Sequence, residues 1–186
     1  QIVFTRLAAD LDTPVSLMLK LTGASENAFV LESVTGGEVR GRYSIIGMKP
    51  DLIWRCRGES SAVNRAARYD ADAFEEMPGN PLDVLRSVIA ESRIDLPEDL
   101  PQAAAGLFGY LGYDMIRLVE HLPNVNPDPL GLPDAVMVRP SVIAVLDGVK
   151  GEVTVVSPAW VSDGQSARAA YAQAAERVMD AVRDLE

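Results

Sequence analysis

The chain has 186 residues, of which 48% are hydrophobic and 24% charged, and this composition is that of a globular protein rather than a disordered or collagen-like one. Its formal net charge of −10 argues against a surface that binds nucleic acid. One cysteine and one histidine exclude an internal disulfide and a Cys/His zinc site.

No segment has the length of apolar sequence, about 20 residues, that a helix needs to cross a bilayer. The first residues, QIVF, have no basic segment followed by an apolar run and so do not resemble a signal peptide. We therefore expect a cytoplasmic protein with no membrane partner. Because the chain begins with Gln rather than Met, we expect the natural N-terminus to lie upstream.

The first third of the chain predicts one helix followed by strands. Thr13 as N-cap and Pro14 at the first helical position predict a helix that Gly23 ends. Its apolar face is expected to carry Val15, Met18 and Leu19. Apolar and β-branched residues then predict strands over 28–33, 42–47 and 52–57, separated by a loop over 35–40 and by Pro50.

The rest of the chain predicts a helix, a glycine-rich strand, a hairpin and a last helix. Asn80 and Pro81 begin a predicted helix that reaches about residue 93, with Leu82, Leu85, Val88 and Ile89 on its apolar face. Residues 106–114 are predicted to form a strand that runs into a short helix. Residues 136–146 and 152–156 predict a hairpin, and residues 166–185 an alanine-rich helix.

Antiparallel strand pairs with helices inserted between them favour the α+β class, with mainly antiparallel sheet and a C-terminal alanine-rich helix. No break in composition divides the sequence into two domains.

Three sets of residues favour structural roles. Glycines 106, 109 and 112 lack the G-x-G-x-x-G spacing of a dinucleotide site, so we expect them to allow close packing on a strand. Cys56 alternates with Trp54 and is expected in the core. His121 follows Glu120 at a predicted helix end, where a surface position is expected.

Polar residues at the ends of two predicted strands form the candidate binding site. Glu32 and Ser33 end one strand, Arg42 begins the next, and the loop between them is short. A carboxylate, a hydroxyl and a guanidinium that converge would suit a small zwitterion, with Glu32 on its ammonium and Arg42 on its carboxylate. The alternative is an ordinary ion pair between Glu32 and Arg42 at the surface.

Several motifs resemble the N-terminal region of one enzyme family. The segments at 31–33 (LES), 41–47 (GRYSIIG) and 109–114 (GYLGYD), with the opening DTPVS at 12–16, are similar in kind and order to those of anthranilate synthase component I. The resemblance covers nearly the whole chain. It implies an enzyme that converts chorismate and an ammonia donor to anthranilate and pyruvate with magnesium, beside a glutamine amidotransferase subunit.

The resemblance also implies which part of such an enzyme this chain represents. In the family, the chorismate and magnesium residues belong to a larger C-terminal domain, which the sequence lacks. Residues 1–186 are then the N-terminal regulatory domain, with no cofactor and no catalytic residue of its own, and the chain alone is expected to be inactive. The resemblance places the feedback inhibitor L-tryptophan at Ser33, and less directly at Glu32 and Arg42.

Surfaces that the catalytic domain would cover are expected to promote formation of a homo-oligomer. Two other functions stay open. Component I of aminodeoxychorismate synthase shares the fold and the substrate, and a module that binds a ligand or a partner would need no enzymatic parent.

Overall fold

The computed structural model describes residues 1–23, 25–32, 41–123, 126–161 and 164–186. It has α-helices and antiparallel strands, which confirms the predicted α+β class. The chain forms two compact units. The first comprises Gln1–Pro50, Ile94–Ala105 and Pro140–Glu186, and the second Asp51–Arg93 and Gly106–Arg139.

The first unit is built on a sheet to which five strands contribute, namely β1 (Ile2–Ala8), β2 (Phe29–Leu31), β3 (Tyr43–Arg57), β7 (Ala135–Asp147) and β8 (Glu152–Pro158). Their order in the sheet is β1, β8, β7, β3, β2. The hairpin is the predicted one: β7 and β8 pair from Ile143 with Val156 to Asp147 with Glu152, and the Gly151 amide donates to the Asp147 carbonyl at 2.9 Å.

Helix α1 (Pro14–Thr22) begins where the sequence predicts, but its other face is buried. The Thr13 hydroxyl accepts from the Ser16 amide at 3.0 Å and the Ser16 hydroxyl accepts from the Thr13 amide at 2.9 Å, so the cap is reciprocal. Leu17 and Leu21 are buried, whereas the predicted core residues Val15 and Leu19 are 60% and 68% exposed. Both pairs have i, i+4 spacing, so the helical period alone could not choose between them.

Helix α3 (Ala167–Leu185) ends the chain and confirms the predicted C-terminal helix. The Ser166 hydroxyl caps it by accepting from the Ala169 amide at 3.2 Å. Its small buried side chains let the helix lie close to the strands that it covers, β1 and β8. Its buried residues are Ala170, Ala174, Val178 and Ala181.

Both faces of β8 are covered within the first unit. Val153 and Val155 belong to a core cluster with Leu17 of α1 and Val178 of α3. Val156 lies on the opposite face, in a smaller cluster with Leu100 and Ala104. Because successive strand residues point to opposite faces, Val153 and Val155 contribute to one cluster and Val156 to the other.

Pro50 does not end a strand, which corrects the prediction of two short strands. Strand β3 runs without interruption from Tyr43 to Arg57. Lys49 has a positive φ of 50°, its carbonyl accepts from the Ser141 hydroxyl at 2.5 Å, and Pro50 is buried. The irregular backbone at Lys49 lets the strand continue past a residue that has no amide proton to give.

The second unit combines an antiparallel sheet with one helix. Besides β3 and β7, its strands are β4 (Ser60–Asn64), β5 (Glu75–Met77) and β6 (Phe108–Leu111). The strand order is β6, β7, β3, β4, β5. Helix α2 (Pro81–Glu91) is capped by the Asn80 side chain, which accepts from the Leu82 amide at 2.8 Å.

The core of the second unit forms around Trp54, which is fully buried. Val84, Leu85 and Val88 of α2 pack in this core, whereas Ile89, which the sequence placed on the same face, is 46% exposed. Cys56 also lies in it with no exposed surface, which confirms its role as a small core residue.

Two of the predicted close-packing glycines lie against backbone. A Cβ atom on Gly109 would lie 1.9 Å from the carbonyl oxygen of Val136, and one on Gly112 would lie 2.7 Å from that of Asp134. The Gly112 amide also donates to that Asp134 carbonyl at 2.7 Å. The absence of a side chain at these positions therefore lets β6 and the residue after it pair with β7, as the sequence predicted.

Gly109→Ala is expected to destabilise the chain by about 2 kcal/mol, because the new methyl group forces two backbones apart. Urea unfolding followed by tryptophan fluorescence measures this difference. Gly148→Ala is the control, since a Cβ there would lie 3.5 Å from the Arg42 carbonyl oxygen, an ordinary contact. Equal unfolding midpoints for the two variants would contradict the packing role of Gly109.

Candidate functional site

Strand β2 is held on β3 by a ring that lies over a glycine. Phe29 pairs with Gly47, Val30 with Ile46 and Leu31 with Ile45. A Cβ on Gly47 would lie 2.3 Å from two ring carbons of Phe29. The last residue of the GRYSIIG segment, a glycine, therefore leaves the space that this ring occupies against β3.

A cavity of about 370 Å³ lies beside this strand pair. Among the described residues, its wall is mainly apolar, and Glu32 is the charged one. Small-molecule sites have volumes of about 300 to 1,000 Å³ and combine apolar walls with few polar groups. The residues that line the cavity are Val30, Leu31, Glu32, Tyr43 and Ile45.

Arg42 is bound to Asp147 by two nitrogen atoms. Its Nη2 lies 2.6 Å from Asp147 Oδ2, and its Nε lies 3.0 and 3.1 Å from the two carboxylate oxygens. Its guanidinium carbon also lies 5.0 Å from the centre of the Tyr43 ring. Arg42 thus connects the turn of the β7–β8 hairpin to an aromatic residue of the cavity wall.

Asp147 also organises its own turn. Its Oδ1 atom accepts from the amides of Val149 and Lys150 at 3.1 and 3.2 Å. The side chain is 11% exposed. The Arg42 hydrogen bonds lower the pKa of this carboxyl below its ordinary value, and the two turn amides act in the same direction against the effect of burial.

The structure brings together some of the predicted site residues. Glu32 lines the cavity. Arg42 lies next to Tyr43, and Tyr43 is part of the cavity wall. Within the described ranges, the carboxylate that pairs with Arg42 is that of Asp147, so the alternative pair with Glu32 is not formed. Ser33 lies outside the described residues.

Asp147 is the residue that sequence reasoning missed. Its sequence signal is that of a hairpin turn, Asp followed by Gly, and nothing in the local pattern connects it to Arg42, which is 105 positions away. Contacts of this range follow from the strand order, which the sequence did not reveal.

Asp147→Asn is expected to lower the urea midpoint of the chain at pH 7, and to lower it by progressively less as the pH falls below 3.8. The pKa of Asp147 is lower in the folded chain than in the unfolded one. Its stabilising effect is therefore present above the ordinary carboxyl pKa of 3.8 and is lost as the pH falls from that value through the lower pKa of the folded chain. Asparagine retains an oxygen for the turn amides, so the variant removes mainly the charge.

The matched control is Asp83→Asn. This residue forms an ion pair with Arg86 in which both side chains are more than 70% exposed, and such pairs contribute little to stability. A midpoint difference for Asp147→Asn that stays constant from pH 7 to pH 3 would show that the ion pair is not its cause.

Neither Cys56 nor His121 is among the residues that line this cavity. Burial raises the pKa of the Cys56 thiol, and His121 is exposed as predicted. In the described parts of the chain, no three or more His, Cys, Asp or Glu side chains are grouped so that they could hold a metal ion. In those same parts, no helix has the length and apolar character needed to span a bilayer.

Comparisons with known proteins agree with the motifs. Over all 186 residues the chain is 75% identical to anthranilate synthase component 1 of Cereibacter sphaeroides, of which it covers 37%. It is 35% identical to the protein of that name from Synechocystis over 99% of the chain and 36% of the relative. No model of a known protein family matches the chain.

A solved structure shares the fold. The crystal structure of anthranilate synthase component I from Streptococcus pneumoniae superposes on 96% of the chain and 37% of its own length, with a TM-score of 0.59 and 24% identity. The chain is therefore homologous, over its whole length, to the N-terminal region of anthranilate synthase component I, which confirms the resemblance. It spans little more than a third of the length of these relatives.

Proposed function

We propose that the chain is the tryptophan-sensing N-terminal part of an anthranilate synthase component I. The observation that supports this most directly is the 75% identity to a protein of that name across all 186 residues. Relatives at 35% identity with the same name support it over aminodeoxychorismate synthase. Their greater length supports it over a module that acts alone.

The whole protein, in this proposal, makes anthranilate and pyruvate from chorismate and ammonia in tryptophan biosynthesis. A glutamine amidotransferase subunit supplies the ammonia, and the complex works in the cytoplasm. Magnesium and the chorismate-binding residues belong to the part of the relatives that this chain does not cover. The contribution of the 186 residues is regulation.

The cavity beside Glu32 supports a role in binding an aromatic amino acid. Val30, Tyr43 and Ile45 offer apolar contacts to an indole ring, and the Glu32 carboxylate can accept from an ammonium group. Asp147 occupies Nε and Nη2 of Arg42. This arrangement favours an indirect role for Arg42, in which it holds Tyr43 in place.

Inhibition by tryptophan requires that the ligand prefer one of two states of the whole enzyme. The described residues give this cavity one charged group, Glu32, and we expect residues of the catalytic domain to complete it. Tryptophan bound to both parts would then stabilise the inactive arrangement by the difference between its affinities for the two states.

Glu32→Gln in the full-length enzyme is expected to raise the tryptophan concentration for half inhibition at least about tenfold, because a hydrogen bond between two charged groups is lost. Ser33→Phe is expected to abolish inhibition. Anthranilate fluorescence at increasing tryptophan concentrations measures both. Glu26→Gln is the control, since Glu26 is an exposed carboxylate that precedes β2 and does not line the cavity.

If both Glu32→Gln and Ser33→Phe stay active and tryptophan inhibits them as strongly as the parent enzyme, the proposed sensing site is contradicted. The assignment of the whole protein as an anthranilate synthase would not be affected.

The 186-residue chain alone is expected to form no anthranilate from chorismate, ammonia and magnesium. The measurement is anthranilate fluorescence against a blank without protein. The full-length enzyme at equal molar concentration shows that the assay works. Product above the blank would place catalytic residues within this chain and contradict its regulatory role.

A further inference from the structure

Two arginines lie side by side on one face of the sheet in the second unit. Trp54 and Cys56 of β3 point into the core, so Arg55 and Arg57, which alternate with them, lie on the opposite face. Cross-strand pairing places Ala62 beside Arg55 and Ser60 beside Arg57. We call this the outer face of β3, β4 and β5.

The third strand adds a carboxylate to the same face. Glu76 of β5 pairs with Ala62, so Arg55, Ala62 and Glu76 form one row across three strands. A cavity of about 330 Å³ opens over this row, lined by both arginines, Ser60, Ser61, Ala62 and Glu76. Ala62 is 2% exposed, and its small side chain lies between the positive and negative ends of the row.

Both guanidinium groups are held in place by neighbours that carry no negative charge. The guanidinium carbon of Arg55 lies 3.7 Å from the centre of the Phe74 ring. Arg57 donates through Nη1 to the carbonyl oxygen of Gly131. Stacking on a ring leaves the edge of a guanidinium, with its N–H groups, available to a planar acceptor.

The charged groups of the cavity are not paired with one another. Within the described part of the chain, no ion pair joins Glu76 to Arg55 or Arg57. No described acidic residue forms an ion pair with Arg55 or Arg57, so in a chain with a net charge of −10 this side of the cavity offers two positive groups to an anionic ligand. The carboxylate on the other side makes that site selective, because it repels a ligand that carries only negative charge.

We propose that this cavity binds a small monocarboxylate that also carries an ammonium or hydroxyl donor. The ligand carboxylate accepts from Arg55 and Arg57, and the donor group lies against Glu76. The strands that carry Arg55 and Glu76 are two strand spacings apart, which is about 10 Å. A ligand of this class fits between the two side chains at that distance. The proposal shares no residue with the cavity beside Glu32 and does not depend on tryptophan sensing.

The test is a titration of the 186-residue chain, monitored by NMR through the Nε–H signals of its arginines. Glycine and glycolate carry both groups, acetate lacks the donor and methylammonium lacks the carboxylate. Saturable shifts of Arg55 and Arg57 are expected, with glycine and glycolate binding at least about tenfold more tightly than acetate, and with no such response to methylammonium.

Variants separate the two halves of the site. Arg57→Gln is expected to weaken the binding of both glycine and acetate about tenfold. Glu76→Gln is expected to weaken the binding of glycine, and to leave the affinity for acetate unchanged or higher. Arg86→Gln, which changes a 71% exposed arginine of α2, is the matched control and should change neither. Backbone amide spectra that match the parent chain show that each variant is folded.

Equal affinity for acetate and glycine would overturn the proposal, since the donor would then make no contribution. Shifts that do not saturate, or an equal effect of Arg86→Gln, would overturn it as well.

Discussion

The continuity of β3 and β7 governs the rest of the structure. Strands of 15 and 13 residues are long for a globular protein, and each contributes to both compact units. β2 and β4 pair with β3, and β6 and β8 pair with β7. Three local features keep these strands continuous and let other strands pair with them. They are the positive φ at Lys49, the glycine under Phe29 and the glycine beside Val136, and the fold therefore depends on them.

The ends of the helices could be predicted from the sequence because their signals are local. Thr13, Asn80 and Ser166 each cap the helix that follows, through hydrogen bonds that span only two or three residues. The buried face of α1 could not be predicted in the same way. The residues on two of its faces have equal spacing, and packing against the sheet determines which face is buried. Pro50 misled for a related reason, because a single irregular residue before it keeps β3 intact. Strand β5 has two acids among its three residues and carries no apolar pattern to find.

The same limit applies to the candidate site. Glu32 is a candidate in the sequence because it lies at the end of a predicted strand and belongs to a motif, and both are properties of neighbouring residues. The partner of Arg42 was not, because Asp147 becomes its neighbour only through the pairing of strands far apart in sequence. A local pattern can therefore indicate which side chains carry chemistry, while the tertiary fold decides whether such a side chain meets a ligand or supports another residue.

The small size of β2 has a consequence for the energetics of the cavity that it borders. A strand of three residues makes few backbone hydrogen bonds, so its detachment from β3 exposes little surface and is expected to cost less free energy than unfolding of the chain. A molecule that contacts Val30 on one strand and Tyr43 on the other binds only when the two are joined. Its affinity thus includes the free energy of joining them, and its binding would slow hydrogen exchange at the amides between β2 and β3.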